Sequence, residues 1–256
     1  NASTGQDLTT YHVSLPANKV ELWARIESDR MENTVFREFY SERDVVNEER
    51  RQTVESVPKR KLMELFLATA FKAHPYRRPI IGWPSDVSSL PIDYVERFFK
   101  TYHAPNNTVI AVVGDIDPAA TLKVVKEYFG AIGRAPLPPL RVTTEPPQAG
   151  ERRVELLADA SPYLLIGYHK PALPAFDDYV FDVIDALLTR GRTSRLYRAL
   201  VEERGLAESI DTANGFPGSK YPNLFVFMAA PRHPHTAKEL EDAIYEEIEK
   251  LKREPV

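Results

Sequence analysis

Regularly spaced carboxylates in one charged stretch are the residues of this sequence best arranged for metal chemistry. The stretch is predicted to be a helix over residues 34–56, and it carries Glu38, Glu42, Glu48, Glu49 and Glu55. Seven residues separate Glu42 from Glu49, so on a helix their directions differ by about 20° and they lie about two turns apart. Such a pair suits a metal site, but it equally suits a solvated face paired with the arginines of the same helix. Spacing alone favours the solvated face.

The six histidines form no self-contained metal motif. The sequence has neither a His-x-x-Glu-His nor a His-Glu-x-x-His pattern, and the close pair His233-Pro-His235 has no third histidine nearby. The other four are predicted to be structural: His12, His74, His103 and His169. Gly191-Arg-Thr-Ser194 precedes a predicted helix, where capping by Thr193 or Ser194 is favoured over anion binding. The sequence also lacks the Gly-x-Ser-x-Gly and Gly-x-x-x-x-Gly-Lys patterns.

Composition narrows the class of protein further. With 256 residues, 43% hydrophobic and 27% charged, the chain suits one large globular domain or two of ordinary size. Lys and Arg number 33 against 37 Asp and Glu, which gives no electrostatic reason to bind nucleic acid. No apolar run approaches the roughly 20 residues of a membrane helix. The absence of cysteine excludes disulfides, thiolate zinc sites and cysteine nucleophiles.

The elements that must position these residues follow a repeated pattern. A strand, a proline and then an amphipathic helix are predicted three times, with the strands at residues 8–15, 108–113 and 224–230. Further strands are predicted at residues 153–157 and 163–168. Further helices are predicted at residues 59–73, 93–102, 177–189 and 194–203.

A proline-rich stretch divides the chain. Five prolines fall within it, at Pro136, Pro138, Pro139, Pro146 and Pro147, which is typical of a semi-rigid linker. We therefore predict a first domain over residues 1–134, a linker over 135–150 and a second domain over 151–256. Because the strand–helix pattern recurs on both sides, two related α+β domains are favoured over one sheet.

Five stretches of the sequence together carry a family resemblance. They are Asn1-Ala-Ser-Thr-Gly-Gln-Asp-Leu-Thr-Thr-Tyr11; Glu42-Arg-Asp-Val-Val-Asn-Glu-Glu49; His74-Pro-Tyr76 with Ile81-Gly82; Tyr102-His-Ala-Pro-Asn-Asn107 with Val112-Val-Gly-Asp115; and Thr193-Ser-Arg-Leu-Tyr197 with Glu203-Arg-Gly-Leu206. In this order they resemble the insulinase/pitrilysin zinc metallopeptidases, and most closely the bacterial members that are similar to processing peptidases. The resemblance spans nearly the whole chain.

The resemblance implies a fold of paired homologous α+β domains, each a mixed sheet with helices mainly on one face, which together enclose a peptide. It also implies roles for the helix carboxylates. In this family the last glutamate of a Glu-Arg-x-x-Val-x-x-Glu helix is the third zinc ligand, which is Glu49 here, and the first, Glu42, supports the site without contacting the metal. The cofactor implied is a catalytic zinc held by two histidines and one glutamate, with an open position for water.

The first residues match the family's edge strand, to which an extended peptide adds by main-chain hydrogen bonds. Asn1 and Ala2 are therefore the predicted substrate contacts. The predicted partners are a peptide or unfolded-protein substrate and a homologous subunit.

The sequence departs from the family because the His-x-x-Glu-His motif, with two zinc ligands and the general base, does not occur in it. We therefore expect a fragment of a longer zinc metalloendopeptidase, incomplete in both domains, inactive and without bound zinc on its own. One alternative is a catalytically silent partner or structural subunit of the same family. Another is an unrelated two-domain α+β binding module.

Overall fold

The computed structural model describes residues 1–253, which separate into two compact units. The first unit comprises residues 1–3, 10–50 and 81–142; the second comprises residues 4–9, 51–80 and the described chain from Thr143 onward. The break after residue 142 falls inside the predicted linker, whereas residues 4–9 and 51–80 group with the second unit. The predicted domain boundaries and the homology of the two domains stay predictions.

The chain opens with a short hairpin. Its strands, β1 (Ala2–Thr4) and β2 (Thr9–Tyr11), form a two-stranded sheet. In the first unit the helices are α1 (Val20–Glu32), α2 (Phe39–Arg50), α4 (Pro84–Ser89), α5 (Ile92–Tyr102) and α6 (Pro118–Phe129). The second unit contains helix α3 (Pro58–Ala70), strand β3 (Leu164–Lys170), helix α7 (Phe176–Thr189), strands β4 (Ala207–Phe216) and β5 (Asn223–Pro231), and helix α8 (Ala237–Arg253). Two π-helical segments, Arg51–Glu55 and Tyr197–Glu203, also lie in the second unit. The fold is α+β, as predicted.

The core of the second unit is built around β5, the middle strand of an antiparallel sheet in the order β3-β5-β4. Side chains of a strand alternate between the two faces of its sheet, and β5 buries both sets. Phe225 and Phe227 pack with Leu240 and Ile244 in one apolar cluster. Val226 belongs to the other cluster, with side chains from α3 and the segment that follows it.

Helix α8 shows why the helical predictions in this unit were accurate. Its predicted stripe begins with Leu240 and Ile244, both 0% exposed. Thr236 and Glu239 form a reciprocal capping pair: the Thr236 N–H donates to the Glu239 carboxylate at 2.7 Å, and the Glu239 N–H donates to the Thr236 hydroxyl at 3.2 Å. The periodic apolar face and the cap therefore agree on where this helix begins.

In the first unit, helices contact one another through side chains that are only half-buried. Helix α1 packs against α6, where the ring centres of Trp23 and Phe129 lie 5.9 Å apart and Tyr128 donates to Glu21 at 2.9 Å. Ala24 and Ala104 are the hydrophobic residues of this unit that are buried, within the part of the chain that the structure describes. This unit therefore lacks the continuous apolar core seen in the second.

Two strand predictions were wrong, and a third was too long. Residues 108–113 form no strand, and Val109 and Val113 are 93% and 95% exposed. The strand predicted over residues 8–15 is limited to Thr9–Tyr11, and residues 153–157 contain no strand. A strand needs a neighbour to pair its backbone groups, and none of the described residues forms a ladder with residues 108–113 or 153–157.

Other differences concern missed elements and helix bounds. Strand β4 was not predicted. The helix expected over residues 34–56 begins only at Phe39 and changes to a π-helix at Arg51, and the helix expected over residues 194–203 is largely π-helical. No helix among residues 1–253 is long and apolar enough to cross a membrane.

Candidate metal and substrate site

Glu42 and Glu49 lie on the same unbroken helix, α2, as the seven-residue spacing predicts. Both residues are exposed, and so is Val45 between them, with 57% of its surface accessible. Val46, Asn47 and Glu48 are half-buried, and the helix ends in the buried Arg50. The two carboxylates therefore occupy one accessible stripe of α2.

Arg50 fixes the end of this helix directly beside Glu49. Its side chain is 5% exposed, its Nη1 donates to the Gly82 carbonyl at 2.9 Å, and its guanidinium lies 5.8 Å from the centre of the Trp83 ring. Gly82 has a φ of +82°, and a Cβ there would lie only 3.0 Å from a Val87 methyl carbon. A glycine is therefore required at the turn that receives Arg50.

The chain continues from α2 into the π-helical segment Arg51–Glu55. One-turn π-segments are rare and occur often near functional sites. Periodicity of apolar residues does not distinguish a π-turn from an α-turn, so the sequence carried no signal for this change.

The spacing of the two glutamates limits what they can do together. Seven residues correspond to a rise of about 10.5 Å along a helix, whereas a zinc–oxygen bond is about 2.1 Å long. An ion bound directly by Glu49 would thus lie out of direct reach of Glu42 unless the side chains leaned strongly toward each other. This separation suits unequal roles for the two carboxylates.

The described residues do not by themselves meet the requirement of a zinc site. Nowhere among residues 1–253 do three His, Cys, Asp or Glu side chains come together in a group that could hold a metal ion. A catalytic zinc needs three protein ligands, so residues 1–253 alone do not fit one.

The side chains of His103, His169 and His235 contact neighbouring protein groups, whereas His12 is exposed. His103 stacks on Phe99 with ring centres 4.4 Å apart, and its Nε2 lies 3.1 Å from the Tyr11 hydroxyl. His169 Nε2 lies 3.0 Å from the Ala70 carbonyl. His235 lies 3.7 Å from the Glu239 carboxylate, in the turn before α8. 

The predicted helix cap near residue 194 does not form as expected. The Ser194 hydroxyl donates to the Gly191 carbonyl at 2.7 Å, because the chain makes a tight turn there with Gly191 at a φ of +82°. The hydroxyl thus closes this turn instead of accepting a hydrogen bond from a helix N-terminus.

The predicted substrate contacts lie on β1 and beside it. In the described chain β1 pairs only with β2, so its other edge carries no strand. Asn1 and Ala2 line a groove of about 470 Å³ in the first unit, together with apolar side chains of α1 that include Leu22, Trp23 and Ile26. A short edge with open backbone groups beside an apolar groove suits an extended peptide.

A partly buried polar cluster in the second unit was missed by sequence reasoning. The Tyr76 hydroxyl donates to Asp7 Oδ1 at 2.6 Å, and the backbone N–H groups of Ser219 and Lys220 donate to Asp7 Oδ2 at 2.8 and 3.1 Å. The Tyr221 N–H donates to the Tyr76 hydroxyl at 3.2 Å. We call this arrangement the hairpin clamp, because Asp7 lies in the turn between β1 and β2.

A second carboxylate organises the adjoining loop. Glu145 accepts hydrogen bonds from the backbone N–H groups of Lys72, Ala73 and His74, at 2.7 to 2.9 Å, and Arg152 lies 3.5 Å away. Burial opposes its ionisation, but these donors outweigh that effect and lower its pKa to about 2.

Two other groups in this region have shifted pKa values. Burial, reinforced by the hydrogen bond to Asp7, raises the pKa of Tyr76. Burial lowers the pKa of His74 below 6.5, against the smaller opposing influence of Glu145 and Asp7. The sequence signals for this cluster were two stretches noted in the family resemblance, the opening stretch that contains Asp7 and the His74-Pro-Tyr76 stretch.

Comparisons with known proteins agree with that resemblance. A family model described as the peptidase M16 inactive domain matches residues 89–256. The zinc protease PqqE of Helicobacter pylori is 28% identical over 262 residues, which cover 99% of this chain and 58% of that protein. An uncharacterised zinc protease of Mycobacterium leprae, ML0855, is 30% identical over 83% of this chain and 49% of its own length.

A solved structure shows the same fold. The crystal structure of a protease from Helicobacter pylori superposes with a TM-score of 0.88 at 28% identity and covers 99% of this chain and 62% of that one. The chain thus spans roughly half to three fifths of the length of these similar proteins.

Proposed function

We propose that this chain, which belongs to the peptidase M16 family of insulinase/pitrilysin-type metallopeptidases, is part of a zinc-dependent endopeptidase. The observation that carries the proposal is the placement of Glu42 and Glu49 on one accessible stripe of α2. In the proposed enzyme Glu49 is the third zinc ligand and Glu42 supports the site without contacting the metal.

The zinc and its histidine ligands are proposed to come from outside the described residues. Residues 1–253 provide no group of three ligands, so the chain alone is proposed to be inactive and free of stoichiometric zinc. The contribution of this chain to the site is therefore one carboxylate held in place by the anchored end of α2.

The chain is further proposed to bind substrate as an added strand. An extended peptide would pair its backbone with the open edge of β1, beside Asn1 and Ala2, within a chamber formed by the complete enzyme. Backbone pairing is independent of the substrate side chains, so unfolded proteins or flexible peptides form the expected substrate class.

A silent subunit of the same family is the second candidate. It is favoured by one observation: the matching family model describes an inactive domain. A silent subunit would still present the β1 edge to peptides but would not cleave them.

The two candidates are separated by assaying the complete product of the gene that encodes this chain. A quenched fluorescent peptide of flexible sequence is incubated with it, with and without a zinc chelator. Cleavage that stops on chelation and returns with added zinc supports the peptidase. Peptide binding without cleavage supports the silent subunit, and neither binding nor cleavage contradicts both.

A further inference from the structure

The turn of the β1–β2 hairpin belongs to the second unit and is held within that unit by a carboxylate that uses both oxygens. Asp7 accepts from the Tyr76 hydroxyl on one oxygen and from the N–H groups of Ser219 and Lys220 on the other. Hydrogen bonds to an ionised acceptor are about twice as strong as neutral ones. This contact therefore fixes Asp7 more firmly than an ordinary loop contact would.

Other contacts restrain the same turn. The Gln6 side-chain amide donates to the Arg78 carbonyl at 2.9 Å, and the Gly5 N–H donates to the Leu8 carbonyl at 2.9 Å. In contrast, all residues of β1 and β2 are exposed, and each strand has only three residues. An isolated hairpin of this size is marginally stable in water, so its geometry depends on where its turn is held.

The surface that receives Asp7 has little freedom to move. Tyr76 is 2% exposed and packs edge-on against Phe71, with ring centres 5.8 Å apart. A Cβ at Gly218 would lie 2.5 Å from Asp7 Oδ2 and 2.8 Å from the Tyr76 hydroxyl. The turn at Gly218 therefore closes over the clamp with no room for a side chain.

We infer that Asp7 and Tyr76 are positioning residues for substrate: by holding the hairpin turn, the clamp sets the register at which β1 presents its open edge to a peptide. This inference rests on the proposed function. A strand shifted by one residue turns every side chain to the opposite face, so register decides to which face of β1 each peptide side chain turns. The clamp atoms touch no reacting group, so their loss weakens peptide binding and leaves the chemical step intact.

The test compares Tyr76→Phe with Tyr245→Phe in the complete gene product. Each variant removes one phenolic hydroxyl that donates to a carboxylate in the second unit, since Tyr245 donates to Glu241 at 3.2 Å. We expect Tyr76→Phe to raise KM about tenfold, the size of one hydrogen bond to a charged group, with kcat within about twofold. Tyr245→Phe is expected to change neither. An unchanged KM in Tyr76→Phe overturns the inference.

Two further measurements keep the inference separate from the proposed function. Gly218→Ala alters no hydrogen-bonding group, yet its Cβ would displace the clamp, so the same rise in KM is expected.

Hydrogen exchange at the amides of residues 2–4 is measured on the chain itself and needs no activity. Faster exchange there in Tyr76→Phe, but not in Tyr245→Phe, supports the clamp even if no peptide is cleaved, and equal exchange overturns it.

Discussion

In the second unit β5 lies between β3 and β4 and buries side chains on both faces, whereas in the first unit residues 108–113 run unpaired with exposed valines. Residues 108–113 are apolar and mostly β-branched, and β5 is apolar with two phenylalanines, so both compositions are typical of a buried strand. The difference lies in their neighbours: β5 has a strand on each side and helices over the sheet, and residues 108–113 have no pairing partner in the described chain. Strand formation is thus decided by pairing and coverage more than by composition.

The largest expected difference between the two units concerns the loss of stability when a leucine in the apolar stripe of a helix is replaced by alanine. Leu240 on α8 is 0% exposed and Leu122 on α6 is 53% exposed. Leu240→Ala is expected to lower the free energy of unfolding by about 2–5 kcal/mol, because a cavity is left in a packed cluster. Leu122→Ala is expected to stay within about 1 kcal/mol of the unmodified chain. Urea unfolding of both variants measures the contrast, and similar losses would show that the first unit has a core after all.

A smaller effect is expected at the buried carboxylate of the second unit. The Glu145 side chain is 11% exposed and its pKa is lowered to about 2, so its contribution is complete above about pH 4.5 and is lost as the pH falls toward 2. That pKa difference corresponds to about 3 kcal/mol. Glu145→Gln is expected to lower the free energy of unfolding by about 2 kcal/mol at pH 7. It is also expected to flatten the pH dependence of that free energy between pH 4.5 and 2, as measured by urea unfolding at several pH values. An unchanged slope would show that the ionised carboxylate does not stabilise the loop.

The smallest effect is expected at His74, which is 4% exposed. Its Nδ1 accepts from the Tyr76 N–H at 3.1 Å, and a protonated ring could not accept there. Because its folded pKa lies below 6.5, stability is expected to fall as the pH drops below 6.5. His74→Asn retains an acceptor without a titrating group, so unfolding curves between pH 7 and 5 should lose this slope. A slope that persists in the variant would assign the titration to another group.

Helices were predictable from the sequence because their signals are local. Apolar stripes and caps act within a few residues, which placed α8 around Leu240 and put Glu42 and Glu49 on one helix. The strand predictions failed where pairing partners are decided elsewhere in the chain, as at Val109 and Val113.

The hairpin clamp shows that a polar site, like a strand, cannot be predicted from local sequence when its residues lie far apart in the chain. Asp7 meets Tyr76 across 69 positions and Ser219 across 212 positions. No local pattern marks such contacts, because each residue alone suits a turn or a core. The roles of Glu42, Glu49, Asn1 and Ala2 came from the family resemblance, and spacing supplied only the shared stripe.

The role of Glu49 is tested most directly by zinc stoichiometry in the complete gene product. Metal content is measured after dialysis for the unmodified protein, Glu49→Gln and Glu48→Gln, a matched change one position away on the same helix. The account predicts about one zinc per chain in the unmodified protein and in Glu48→Gln, and almost none in Glu49→Gln. Glu42→Gln is expected to keep most of its zinc while losing activity. Full zinc retention in Glu49→Gln would contradict the account.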